Sequence, residues 1–232
     1  MLFRSSEEAT DLARRAYRPQ TPTSLISQYS DAATLLGPDA GTLFNATALR
    51  AAHPGFDYKG RFQGNTVINA AFAVEAIKRR LVRCVSFVAG GFDTHSTNYR
   101  YHPLVLQETF EMLAALLREL DATSFDGGGD RLSDHTHILV ISDFCRTPQI
   151  NLTSGRDHYP NNSALIISPR FRANTVYGRS DPEQLLPLDS GSFSDGVRPV
   201  TPPDVLATFL GAFGVDPRKY MRDGEVVKEL LR

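Results

Sequence analysis

The chain has 232 residues, with 25 Lys and Arg against 26 Asp and Glu and a formal net charge of −1. That balance excludes a nucleic-acid binder working through a broad basic field, though not a local basic pocket. With 41% hydrophobic and 22% charged residues the composition is that of an ordinary soluble globular protein, and a domain of this length hides roughly 70–75% of its unfolded surface without needing staples.

The first quarter reads as helical. Ser5 and Glu8 form a capping box, and Ala9, Leu12, Ala13 and Ala16 make an apolar stripe over residues 5–17. Pro19 and Pro22 stop it. A second helix is expected over 24–36 and a short one through Leu49. The polar, Gly-rich stretch 53–64 reads as an exposed loop with an idle His53. No strand signal occurs here. Residues 1–63 therefore read as a helical segment or cap, and 64–232 as an α/β domain.

From Asn65 the pattern changes. A helix is expected through Leu81, with Val67, Ala70, Ala71, Val74 and Ile77 inward and Lys78, Arg79 and Arg80 near its end, where cations favour the dipole. The apolar run 85–89 reads as a buried strand, with Cys84 as a core residue at its start. A helix follows over 103–121 with Leu106, Phe110, Leu113, Leu116, Leu117 and Leu120 as its stripe. Two further apolar runs, 138–141 and 163–168, read as strands, and 174–177 as an edge strand. Helix, strand, helix, strand is most economically a set of parallel crossovers. Residues 178–199 read as a long surface loop. Thr201-Pro-Pro-Asp204 starts a helix faced by Val205, Leu206, Phe209, Leu210 and Phe213, and residues 225–231 read as a last helical turn or two.

The chemistry gathers where these apolar runs end. Asp93 and His95 follow the first run after Gly90 and Gly91. Asp143 follows the second. Asp157 and His158 precede the third. Asp and His two apart on an extended chain face the same way, and one carboxylate with one imidazole suits zinc, iron or manganese. In open α/β sheets ligands bind outside the strand ends. The plainer alternative is that Asp93 caps a turn, that Asp143 caps the segment after it, and that His158 lies in a loop tip. Arg146 and Arg156 flank the acidic positions. Each could steady a phosphate or sulfate, or simply pair with a neighbouring Asp. Asn98 and Asn151 are further candidates for the cleft. His135 and His137 sit at the far end of their strand, the wrong edge for this site. Cys84 and Cys145 form no CxxC pair, so thiolate zinc chemistry is not expected. No run reaches the ~18 apolar residues of a membrane span. The N-terminus shows no secretory signal, which predicts a cytoplasmic location, or a periplasmic one if a leader has been lost.

Gly90-Gly-Phe-Asp-Thr-His95, Ser142-Asp-Phe-Cys-Arg-Thr147, Gly155-Arg-Asp-His158 and Val200-Thr-Pro-Pro-Asp-Val-Leu-Ala-Thr-Phe-Leu together resemble the bacterial domain-of-unknown-function family number 1501, over roughly residues 64–217. That family resembles the alkaline phosphatase superfamily, with its sulfatases and phosphoglycerate mutases. The resemblance implies a three-layer α/β/α sandwich with a mostly parallel sheet. It also implies a divalent-metal site, zinc first, with manganese, calcium or magnesium as alternatives. By that likeness Asp93, His95 and His158 would bind one metal and Asp143 a second, with Asp157 beside them. Two metals roughly 4 Å apart polarise a phosphoryl or sulfuryl oxygen and activate a nucleophile. The chain departs from the pattern in three places. Phe144 stands where the superfamily has a His after the Asp. Asp143 and Cys145 replace the family's Glu and Gly. No apolar strand ending in Asp occurs within residues 1–64 to supply the nucleophile.

The expected function is therefore metal-dependent hydrolysis of a small anionic phosphate or sulfate ester, with Arg146 or Arg156 on the anion. The alternative is an inactive relic of that fold that binds an anion, a metal or a partner. A sheet edge left open by the absent first strand would favour a homodimer.

Overall fold

The computed structural model describes residues 45–61 and 64–232, so the helices expected over 5–17 and 24–36 lie outside the described residues. Contacts divide the chain into two units. Residues 45–61, 64–91 and 105–123 belong to the first. Residues 92–104 and 124–232 belong to the second.

The first unit is helical. α1 (Ala46–Ala52) begins at Asn45, whose side chain accepts from the backbone N–H groups of Thr47 and Ala48. It packs on α2 (Gly64–Lys78). Val67, Ala70, Ala71, Ala73, Val74 and Ala76 of α2 are all buried, a wider face than one stripe. α3 (Asn98–Ala122) contributes its later turns to this unit. Its buried stripe is Val105, Thr109, Met112, Leu113, Leu116 and Leu120, at helical spacing. The stripe is rotated from the expected one: Leu106 and Phe110 are exposed.

The loop after α1 is not an idle surface segment. His53 and Phe56 are only 3% and 4% exposed. His53 Nδ1 lies 2.9 Å from Glu119 Oε2 of α3. Its Nε2 lies 3.3 Å from Glu75 Oε1 of α2, within ion-pair reach but not aligned as a hydrogen bond. Glu75 is also held by Lys78 and Arg79, one turn along its own helix. Burial pushes its carboxyl up, but the two cations outweigh burial and hold it below the usual range.

The second unit corrects the expected architecture. It contains no parallel sheet, and the three-layer α/β/α sandwich is absent from the described residues. Instead there are three two-stranded antiparallel ladders. β1 (Ile138–Ile141) pairs with β4 (Ala164–Ile167), Ile138 opposite Ile167 and Ile141 opposite Ala164. Nested inside it, β2 (Cys145–Arg146) pairs with β3 (His158–Tyr159). The four strands thus form one long ribbon that runs out to a tip over 147–157 and returns. The register slips by one residue between the two ladders, which gives the ribbon a bulge. The physical reason is connectivity. A parallel pair needs a crossover, usually a helix, and 142–163 holds none. Parallel sheets are also covered on both faces, whereas Ile141 and Leu165 are exposed. The run 85–89 forms no strand. It joins no ladder, and Val88 is 75% exposed and Cys84 exposed. The sheet edge invoked for a homodimer belonged to the parallel sheet and goes with it.

Within the expected loop 178–199, β5 (Gly191–Phe193) and β6 (Gly196–Arg198) form a hairpin. α4 (Pro202–Ala212) begins as expected, with Thr201 and Asp204 forming a capping box. Its buried face is Asp204, Ala207 and Thr208, while Leu206 and Phe213 are exposed. The residues 174–177 form no strand, and the tail ends in a 3-10 turn, Lys228–Leu230. Among the described residues no helix is long and apolar enough to cross a membrane.

Candidate metal centre

The site is built in the second unit by two segments that meet. One is the stretch that carries Asp93 and His95 into α3. The other is the ribbon tip. They are joined backbone to backbone. The Arg156 N–H donates to the Thr94 carbonyl at 3.0 Å, Thr97 N–H to the Thr153 carbonyl at 3.2 Å, and Asn98 N–H to the Ser154 carbonyl at 2.9 Å. Gly155 permits this approach. A Cβ there would lie 1.9 Å from the His95 carbonyl oxygen, so no other residue fits. Asn151 orders the tip. Its side-chain oxygen accepts from the N–H groups of Thr153 and Gly155, and its Nδ2 donates to the His95 carbonyl and to Asp157 Oδ1, each at 3.0 Å. The Thr153 hydroxyl also donates to the His95 carbonyl. The sequence offered no signal for Thr153 beyond its being a loop hydroxyl.

Asp93, His95 and His158 come together. One ligand atom from each lies within 4.8 Å of the others. His95 Nε2 is 3.0 Å from His158 Nε2 and 3.3 Å from Asp93 Oδ1. Tetrahedral zinc with bonds of about 2.0–2.1 Å sets neighbouring ligand atoms about 3.3 Å apart, so the donor set suits such an ion in type, and the two separations from His95 Nε2 are close to that spacing. His95 Nδ1 lies 2.8 Å from Asp157 Oδ1. With the proton on Nδ1, as that carboxylate requires, Nε2 presents its lone pair to the cluster. Asp157 thus holds the ring of His95 from behind instead of joining the three. His158 is fixed by register and by packing. It stands opposite Arg146 across the β2–β3 ladder, and Phe144 lies against its ring at 3.9 Å between centroids.

The cluster is open to solvent: the side chains of Asp93, His95 and Asp157 are 78%, 48% and 54% exposed. Arg146 is the more enclosed partner at 12%. One guanidinium nitrogen donates to Asp93 Oδ1 at 2.7 Å, and the other lies 3.2 Å from His95 Nε2 and donates to the Arg156 carbonyl. The Arg146 guanidinium holds the Asp93 carboxyl below its ordinary range, and His95 adds to this. The His95 hydrogen bond, then Asn151, does the same for Asp157.

The other expected residues lie apart from this group. Asp143 is exposed, and its carboxylate accepts from the neighbouring Phe144 N–H. Arg156 turns back on the tip and donates to the Thr147 and Pro148 carbonyls. Asn98 is buried and donates to the Thr94 hydroxyl. His135 stacks on Phe125 beside Asp130, and His137 meets the Ser168 hydroxyl and Phe213.

A family model described as "Protein of unknown function (DUF1501)" matches residues 9–226. The chain belongs to this family. No curated protein and no solved structure matches it. The DUF1501 match spans both units and all of the cluster residues.

Proposed function

We propose that this DUF1501 protein holds one divalent cation on Asp93, His95 and His158 and hydrolyses a small phosphate or sulfate ester there. The observation that carries the reading is the donor set: one carboxylate and two imidazoles with one ligand atom of each within 4.8 Å of the others, and the far nitrogen of His95 on a carboxylate. A cation so held would supply Lewis acidity toward an ester oxygen and acidify a bound water. Asp157 and Asn151 keep His95 in one tautomer and orientation. Phe144 keeps the His158 ring from turning. Arg146 brings the positive charge that a tetrahedral oxyanion needs, in a fork suited to two of its oxygens. Zinc is the first choice for this donor set, with manganese next. Calcium and magnesium, which prefer oxygen ligands, fit it less well.

A second reading is a metal- or anion-binding protein without turnover. It is favoured by Phe144 and Asp143: the first packs against a ligand ring, the second accepts from the backbone N–H of the next residue. Metal analysis of the purified chain, with assays of 4-nitrophenyl phosphate and 4-nitrophenyl sulfate, separates the readings. Hydrolysis predicts one metal per chain, with metal and turnover both lost in Asp93→Ala, His95→Ala and His158→Ala. One tightly held metal and no turnover of either ester would favour the second reading. Turnover abolished by Asp143→Ala would exclude it. A chain that takes up no zinc or manganese sinks both metal readings.

A further inference from the structure

The position of Arg146 carries a consequence for how the site fills, and it rests on the metal reading above. We propose that Arg146 is a built-in rival of the metal which becomes its partner when an oxyanion arrives. The guanidinium lies on two of the three ligand atoms. It donates to Asp93 Oδ1 at 2.7 Å and lies 3.2 Å from His95 Nε2. A carboxylate oxygen has lone pairs enough for a cation and a hydrogen bond together. An imidazole nitrogen has one, and with its proton on Nδ1 the ring of His95 has only Nε2 to offer. Arginine cannot give up its charge to make room. A metal on His95 Nε2 therefore displaces that guanidinium nitrogen.

The displaced group has nowhere far to go. Its side chain is 12% exposed, its other terminal nitrogen keeps its bond to Asp93 Oδ1, and its guanidinium lies 5.6 Å from the Phe144 ring centroid. It stays at the rim of the cluster with the nitrogen that faced His95 freed. A metal and a guanidinium side by side are two cations that repel until an anion bridges them. Metal and oxyanion then bind with positive coupling, each favouring the other by the same factor. Arg156 does not share this role, because its guanidinium is used on the Thr147 and Pro148 carbonyls.

The test is a Co(II) titration of the full chain after chelator treatment, followed by visible absorption, with and without sulfate. Without sulfate, Arg146→Gln is expected to bind Co(II) more tightly than the wild type by about two- to fivefold, the range open to a solvent-accessible ion pair. Sulfate is expected to tighten Co(II) binding in the wild type and to have no effect in Arg146→Gln. Should Arg146→Gln fail to fold, Arg146→Lys serves. Its single ammonium cannot reach both ligand atoms, so the shift has the same sign and is smaller. A merely structural role for Arg146 predicts the opposite sign, because losing a support loosens the ligands. Unchanged or weaker Co(II) binding in a folded variant overturns this inference and leaves the metal reading standing. A sulfate effect equal in both proteins overturns the partnership. No Co(II) bound by either protein removes the metal reading and this inference with it.

Discussion

Gly155 shows at the scale of one residue how tightly the cluster is specified. The ribbon tip reaches the His95 backbone only because position 155 has no Cβ, while a Cβ at Gly91 would meet nothing within 4 Å. Gly155→Ala is expected to cost about 1–3 kcal/mol in urea unfolding, the usual range for forcing atoms into a packed contact, and to abolish the cation uptake proposed above. Gly91→Ala, as a control, should change neither. The residue types were legible from the sequence. An Asp and a His two apart, and a second Asp-His pair preceded by Gly-Arg, already marked out the side chains that meet. The division of labour was not. Asp157 and Asp93 look equivalent on paper, but one holds a ring from behind and the other faces the cluster. That depends on where a side chain points after two distant segments meet.

At the scale of elements, His53 ties the end of α1 to Glu75 of α2 and Glu119 of α3. A polar, Gly-rich stretch gave no sign of this. A single His beside a Pro carries no periodicity, and its partners are far along the chain. Removing the imidazole leaves Glu119 without the hydrogen bond it now makes at 2.9 Å. His53→Ala is therefore expected to lower the stability of the chain by about 1–3 kcal/mol in urea unfolding, the cost of losing a hydrogen bond to a half-buried charged group. An unchanged midpoint would mean that water replaces the ring freely. The helices themselves were legible because their apolar spacing and caps are local. The rotated stripe of α3 was not, because Leu106 and Phe110 are as apolar as the residues that are buried. The ribbon could have been read better. Two apolar tetrapeptides with no helix between them cannot make a crossover, and the sequence of 142–163 already says so.

At the scale of the whole molecule, one buried carboxylate gathers several parts of the second unit. Asp204 is fully buried and accepts from both terminal nitrogens of Arg198, from the Thr201 N–H and hydroxyl, and from the Glu225 N–H. Gly224 makes the last contact reachable. Its φ is +101°, and a Cβ there would lie 2.4 Å from the Pro203 carbonyl. Burial alone would push the Asp204 carboxyl up. Arg198, Thr201 and the Glu225 N–H outweigh it and hold it far below the usual range. A depressed carboxylate stabilises the fold above its unfolded pKa, and that share is lost as pH falls from about 4 toward the folded value. Asp204→Ala is expected to cost about 3 kcal/mol at pH 7 by breaking a buried pair. The gap from the wild type should narrow when urea unfolding is repeated near pH 2. A gap independent of pH would show that packing, not charge, is what Asp204 supplies. The sequence by itself determined the family, the start of α4 and the residue types of the cluster, because motifs, caps and side-chain chemistry are written locally. Only the tertiary structure decided that the sheet is an antiparallel ribbon, that Asp157 backs His95 and that Arg146 lies on the ligand atoms. Strand direction, ring orientation and shared lone pairs arise from which distant segments touch, and no local pattern encodes that.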